Sequence, residues 1–154
     1  MSIHEAAAPR LMIPGLAGLY QSLAPYSYAL IRFSLGAILI PHGYFKLFQG
    51  GAAGLAANVF AKWGLEPAMA WAYWIGGVEF FGGILLAIGL FTRAAAFLIL
   101  VEMVVIVFVA LWSNGYFWTN RGYEFALLMG LMALAIVFRG GDRLSVDHAV
   151  GKEI

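Results

Sequence analysis

IRFSLGAILIPHGYFKLF, residues 31–48, is apolar enough to cross a lipid bilayer, yet it carries Arg32, His42 and Lys46. A charged side chain at the bilayer centre costs on the order of 3 kcal/mol on insertion scales, so these groups need partners. On a helix advancing about 100° per residue, Arg32, Leu39, Gly43 and Lys46 share one stripe with His42 at its edge. That stripe cannot face lipid. Three carboxylates on later apolar stretches, Glu79, Glu102 and Glu124, are the available counter-charges. The stretch therefore predicts a bundle of helices around a charged interior.

Composition agrees. The chain has 154 residues, 63% hydrophobic and 11% charged, with a mean hydropathy of +0.88, outside the range of soluble domains. Four helices of about 20 residues plus short loops use up this length, so the expected fold is all-α, an integral membrane four-helix bundle. A net charge of +1 points to no nucleic-acid partner, and the absence of cysteine excludes disulfides, thiol exchange and thiolate-bound metals. The histidines are scattered, so no metal site is expected.

Taken in order, residues 1–24 show no cleavable leader, and Leu11 to Leu23, broken by Pro14 and Gly15, read as an interfacial or surface segment. The four-helix domain is expected over 25–139, with spans at about 25–48, 68–90, 94–113 and 123–138. Pro25 opens the first span and Pro41 kinks it, as a bend of shape or of function. Residues 52–65 form a short amphipathic helix in the interface, anchored by Trp63. In the second span Ala72, Gly76, Glu79, Gly83 and Ala87 are spaced 4, 3, 4 and 4, which places Glu79 in a stripe of small residues that lets helices touch. Residues 140–154 form a polar tail. Counting Lys and Arg on each side places both termini in the cytoplasm.

Depth counting arranges the ionisable groups in layers. Arg32 and Glu102 lie at similar distances from the inner ends of their helices and predict an inner pair, Arg32 with Glu102 or Glu79, structural or functional. Glu79 is central and expected to be directed at helix one, within reach of Arg32, His42 or Lys46. His42, Lys46, Glu124 and Arg121 form an outer cluster in which Glu124 holds Lys46.

With these residues in view the chain resembles the DoxX family of small bacterial four-helix membrane proteins, over about residues 28–147. The resemblance rests on Arg32, the H-G-x-x-K motif His42 to Lys46, Glu79 with Gly82 and Gly83, and the turn Gly89 to Arg93. It extends to Asn114-Gly115, Gly122 to Glu124, and Ser145-Val146-Asp147. Glu102 is not part of the pattern. The family is named for a subunit of thiosulfate:quinone oxidoreductase, so the resemblance implies a quinone-linked role in the bacterial inner membrane, among membrane lipid and within a larger redox complex. A quinone head group would then meet His42 and Lys46 as donors and Glu79 as the catalytic proton acceptor or donor, with Glu124 and Arg32 completing the site. A second reading, from the small-residue face Gly122, Ala126 and Gly130, is a non-catalytic accessory subunit packed on a larger complex. A small transporter is a third.

Overall fold

The structure is a computed structural model that describes residues 10–153, all-helical with short connections and no strand among them. The helices are α1 (Ala17–Phe48), α2 (Gly51–Phe60), α3 (Ala68–Ile88), α4 (Thr92–Ala110), α5 (Glu124–Arg139) and α6 (Val146–Val150). Three of them, α1, α3 and α4, are long and apolar enough to cross a membrane. At 16 residues α5 is about 24 Å long, short of a bilayer core by itself.

Two tight pairings build the core, α1 on α3 and α4 on α5. The first is a backbone contact. A Cβ on Gly36 would lie 2.7 Å from the Ala87 nitrogen and closer still to the Gly83 carbonyl, and one on Gly43 would lie 2.7 Å from the Gly76 carbonyl oxygen. In the second, Gly130 rests on Met103, and Ala126, Ala133 and Ile136 are buried. Leu35, Leu39, Leu86 and Ile99 fill the space between the pairs. A separate cluster of Ala52, Ala56, Phe60, Ala68 and Ala72 seats α2 on the start of α3.

Helices α2, α3 and α4 each contain one wide π-turn, at Ala56–Phe60, Val78–Gly82 and Ile106–Ala110. A π-turn holds more residues than an α-turn, which matters most in α3. Its small-residue stripe averages slightly more than 3.6 residues per turn, and the wide turn takes up the surplus, so the whole stripe stays on the face toward α1.

The beginning of the chain departs from expectation. Pro14–Leu16 forms a single 3₁₀ turn, and α1 then runs unbroken from Ala17 with Pro25 inside it. The segment expected at 1–24 is thus helical from Ala17, and its first nine residues lie outside the described residues. Pro25 is tolerated there because the first turns of α1 stand clear of the other helices, with Leu19, Tyr20, Leu23 and Tyr26 exposed. The short helix between the first two spans ends at Phe60, and Trp63 follows in a turn, edge-on to the Phe60 ring.

Candidate functional site

Among the described residues, one buried ion pair lies inside the bundle. Lys46 on the last turn of α1 donates to the Glu79 carboxylate in the wide turn of α3. Gly43 and Gly76, each about one turn away, bring the two backbones into contact and so place the pair. Glu79 is 4% exposed. As the spacing of small residues requires, it is directed at α1.

A third charged group completes the cluster. Glu102 on α4 is 5% exposed, its charged neighbours are Glu79 and Lys46, and neither of its carboxyl oxygens has a hydrogen-bond partner. Two carboxylates thus lie beside one ammonium in an apolar interior, and Glu79 alone bonds it. A bare buried carboxylate is costly enough that such a group holds a proton or takes a donor from whatever enters beside it. The sequence pointed elsewhere for Glu102, to a pair with Arg32. The signal that locates it is the turn joining α3 to α4: Glu79 lies nine residues before Ile88 and Glu102 ten residues after Thr92, so an antiparallel hairpin sets the two acids level.

The cluster separates two cavities, and Lys46 lines both. The first, of about 320 Å³, lies between α2, α3 and α4, with Phe60, Trp63, Trp71 and Trp74 in its walls and Lys46 and Glu102 as its charged lining. Trp63, Trp71, Trp74, Val101 and Val105 are also exposed on the flank of the bundle, so this cavity meets the apolar outer surface. The second, of about 430 Å³, lies under the loop after α4 and is lined by His42, Lys46, Glu79 and Arg121 along with Trp118 and Phe125.

The remaining expected site residues are not gathered here. Arg32 pairs with neither Glu102 nor Glu79, which corrects the inner ion pair. Its guanidinium donates to the carbonyls of Leu86 at 2.5 Å, Ala87 at 2.9 Å and Leu144 at 2.5 Å. Counting from residue 25 sets Arg32 too deep, because the part of α1 before it runs past the ends of its neighbours. It lies level with the end of α3, where the last carbonyls of a helix lack intrahelical donors and favour a cation. Gly89 makes room: it is left-handed at φ +74°, and a Cβ there would meet the Arg32 Nη1 at 2.6 Å. Across the same turn Asp147 accepts from the Phe91 and Thr92 amides at 2.8 and 2.9 Å and from the Thr92 hydroxyl at 2.7 Å. Burial pushes the Asp147 carboxyl up, but these bonds and the Arg32 charge outweigh it and hold the group below the ordinary carboxylate range. Arg32 and Asp147 thus clamp the tail to the α3–α4 turn.

Glu124 does not hold Lys46, which Glu79 has taken. It opens α5, half-buried, its amide donating to the Tyr116 carbonyl at 3.0 Å and its carboxylate in no ion pair among the described residues. His42 is exposed at the edge of the second cavity. The small residues Gly122, Ala126 and Gly130 are buried within the molecule, Gly122 against the Gly115 and Phe117 carbonyls and Gly130 against Met103, so they do not form a face for a partner.

The DoxX family model matches residues 27–112, which carry Arg32, Lys46, Glu79 and Glu102. The chain is similar to an uncharacterized protein of Haemophilus influenzae, 34% identical over 132 residues, covering 84% of this chain and 94% of that protein. No solved structure matches.

Proposed function

Because the chain belongs to the DoxX family of membrane proteins, we propose that it acts in the bacterial inner membrane as a quinone-interacting subunit of an oxidoreductase system. The first cavity carries this reading. A quinone ring is flat, apolar on its faces and polar at its two oxygens, and it arrives from the bilayer. The cavity offers aromatic and aliphatic walls, a flank on the apolar outer surface, and charged groups confined to Lys46 and Glu102. The two unpartnered Glu102 oxygens are what a polar ligand edge would satisfy. A bound quinone supplies the two-electron, two-proton couple. Lys46 can donate to a ring oxygen while Glu79 holds it in place, and Glu79, facing the second cavity with His42, can carry a proton toward the loops. The electrons call for a redox partner, since a chain without cysteine has no thiolates to bind an iron–sulfur cluster.

In this reading α5 is the fourth span of a four-helix bundle. Packed against α4, it starts just after Tyr123 and ends at Arg139, whose guanidinium lies 4.3 Å from the Tyr28 ring centroid. The excess of Lys and Arg on the side of the tail supports a cytoplasmic tail. A cysteine introduced at Tyr116 should be labelled by an impermeant maleimide on intact cells and one at Lys152 should not; the reverse pattern overturns this orientation. For the ligand, the purified chain in lipid nanodiscs should show saturable quenching of tryptophan fluorescence by a short-tailed benzoquinone. Absence of quenching, with no quinone in the lipid extract of the purified protein, refutes the proposal.

A further inference from the structure

The cluster holds one more acid than its ion pair uses, and that acid is the one lining the cavity. Glu79 is committed to Lys46 and lines the second cavity; Glu102 lines the first, is 5% exposed, and has both oxygens free. We propose that Glu102, rather than Glu79, is the group that meets the ring ligand, and that its protonation state selects the ligand's redox form.

The inference rests on the quinone reading of the cavity and follows from hydrogen-bond inventory. An ionised carboxylate only accepts, so it suits the hydroxyl of a quinol. A protonated carboxyl donates, so it suits the carbonyl of a quinone. Among the described residues, the side chain close enough to compete for these oxygens is Glu79, whose own carboxylate is already taken by Lys46. The charged groups facing Glu102 are Lys46 from α1, already bonded to Glu79, and Glu79 from α3. The cavity walls from α2 are Leu55, Val59 and Phe60, and α5 meets this part of α4 through Gly130 on Met103. His42 and Arg121 lie in the second cavity, on the far side of the Lys46–Glu79 pair.

Linkage fixes the signs. Quinone binds the protonated form, so its affinity is full below the titration of Glu102 and falls as pH rises through it. Quinol binds the ionised form, so its affinity is full above that titration and falls as pH drops. Past the titration each trend approaches about tenfold per pH unit. The test uses the full chain in nanodiscs between pH 5.5 and 9.5, with a decyl-tailed benzoquinone read by tryptophan quenching and its quinol read by displacement of the quinone. The wild type should show opposite trends for the two forms. Glu102→Gln, which keeps one donor and one acceptor, should bind both forms without a trend. Trends that are parallel or flat in the wild type overturn the inference even if the variant does not fold. So does a Glu102→Gln protein that keeps the opposite trends while Glu79→Gln loses them; in both cases quinone binding itself stands. If neither form binds the wild type at any pH, the quinone reading falls and takes this inference with it.

Discussion

Gly43→Ala tests whether backbone contact between α1 and α3 holds the ion pair in place. The added methyl would lie 2.7 Å from both the Gly76 carbonyl oxygen and the Phe80 Cα, and nearer still to the Phe80 nitrogen, where ordinary contact begins near 3.4 Å. All three atoms belong to a helix backbone, so no side chain can turn aside and the helices must part by about 1 Å. A gap of that size forfeits roughly a quarter to a half of each dispersion contact along the seam. Together with the overpacking itself this gives a loss of about 2–3 kcal/mol. Gly77, next to Gly76 but with nothing within 4 Å of its would-be Cβ, is the control. Gly77→Ala should be neutral or stabilising by up to about 1 kcal/mol through helix propensity. Both variants are compared by reversible unfolding in mixed micelles. Two substitutions within about 0.5 kcal/mol of each other would refute the reasoning, since the same methyl in the same helical context would then not feel the neighbouring backbone.

Three further outcomes follow from the same geometry. Glu79→Leu should cost only about 1–2 kcal/mol, because Glu102 is placed to receive Lys46; the double change to Leu at 79 and 102 should bring the loss to roughly 3–5 kcal/mol by stranding the ammonium, and strict additivity of two small losses would contradict this. Arg32→Lys should destabilise by about 1–3 kcal/mol, since an ammonium cannot reproduce the planar fork that serves Leu86, Ala87 and Leu144; an unchanged unfolding midpoint would show the clamp to be idle. Asp147→Asn should cost about 1–2 kcal/mol at neutral pH, its amide nitrogen opposing a backbone donor. Because the Asp147 carboxyl is held below its ordinary range, its contribution is complete above about pH 4 and is lost as pH falls through the folded value, so the variant should show a shallower loss of stability in acid.

Helical class and the direction of Glu79 were legible in the sequence because each rests on a local regularity: long apolar runs for the class, and small residues at helical spacing for the acid. Hairpin geometry also lay in the sequence, but only to a count made from the turn at 89–91 rather than from helix ends. Depths measured from the start of α1 misplaced Arg32, because a helix can run past the point where its neighbours stop, and nothing local in Ala17 to Leu30 marks where that point lies. Glu124 was misassigned for a different reason. Its partner depended on the path of the 111–123 loop, where Gly115 and the left-handed Arg121 decide the direction in which α5 sets out. The two cavities were not legible at all, since they are made by the spacing between helices rather than by any one of them.

The wide turns have a consequence for how the chain's length can change. Each is a residue of slack. Deleting one residue inside Val78–Gly82 lets the turn tighten to ordinary helix, with Ala72 and Gly76 before it and Gly83 and Ala87 after it still on the side of α1. Phe81, 57% exposed, is the residue there whose loss removes least packing. The same deletion at Leu85 meets no slack and rotates everything after it by about 100°. A deletion that would break most spans is therefore absorbed in α3 at the level of Glu79, and Ile106–Ala110 gives α4 the same allowance one turn beyond Glu102. Within these spans, single deletions are cheapest beside the buried acids, and dearest along the glycine contact that holds them.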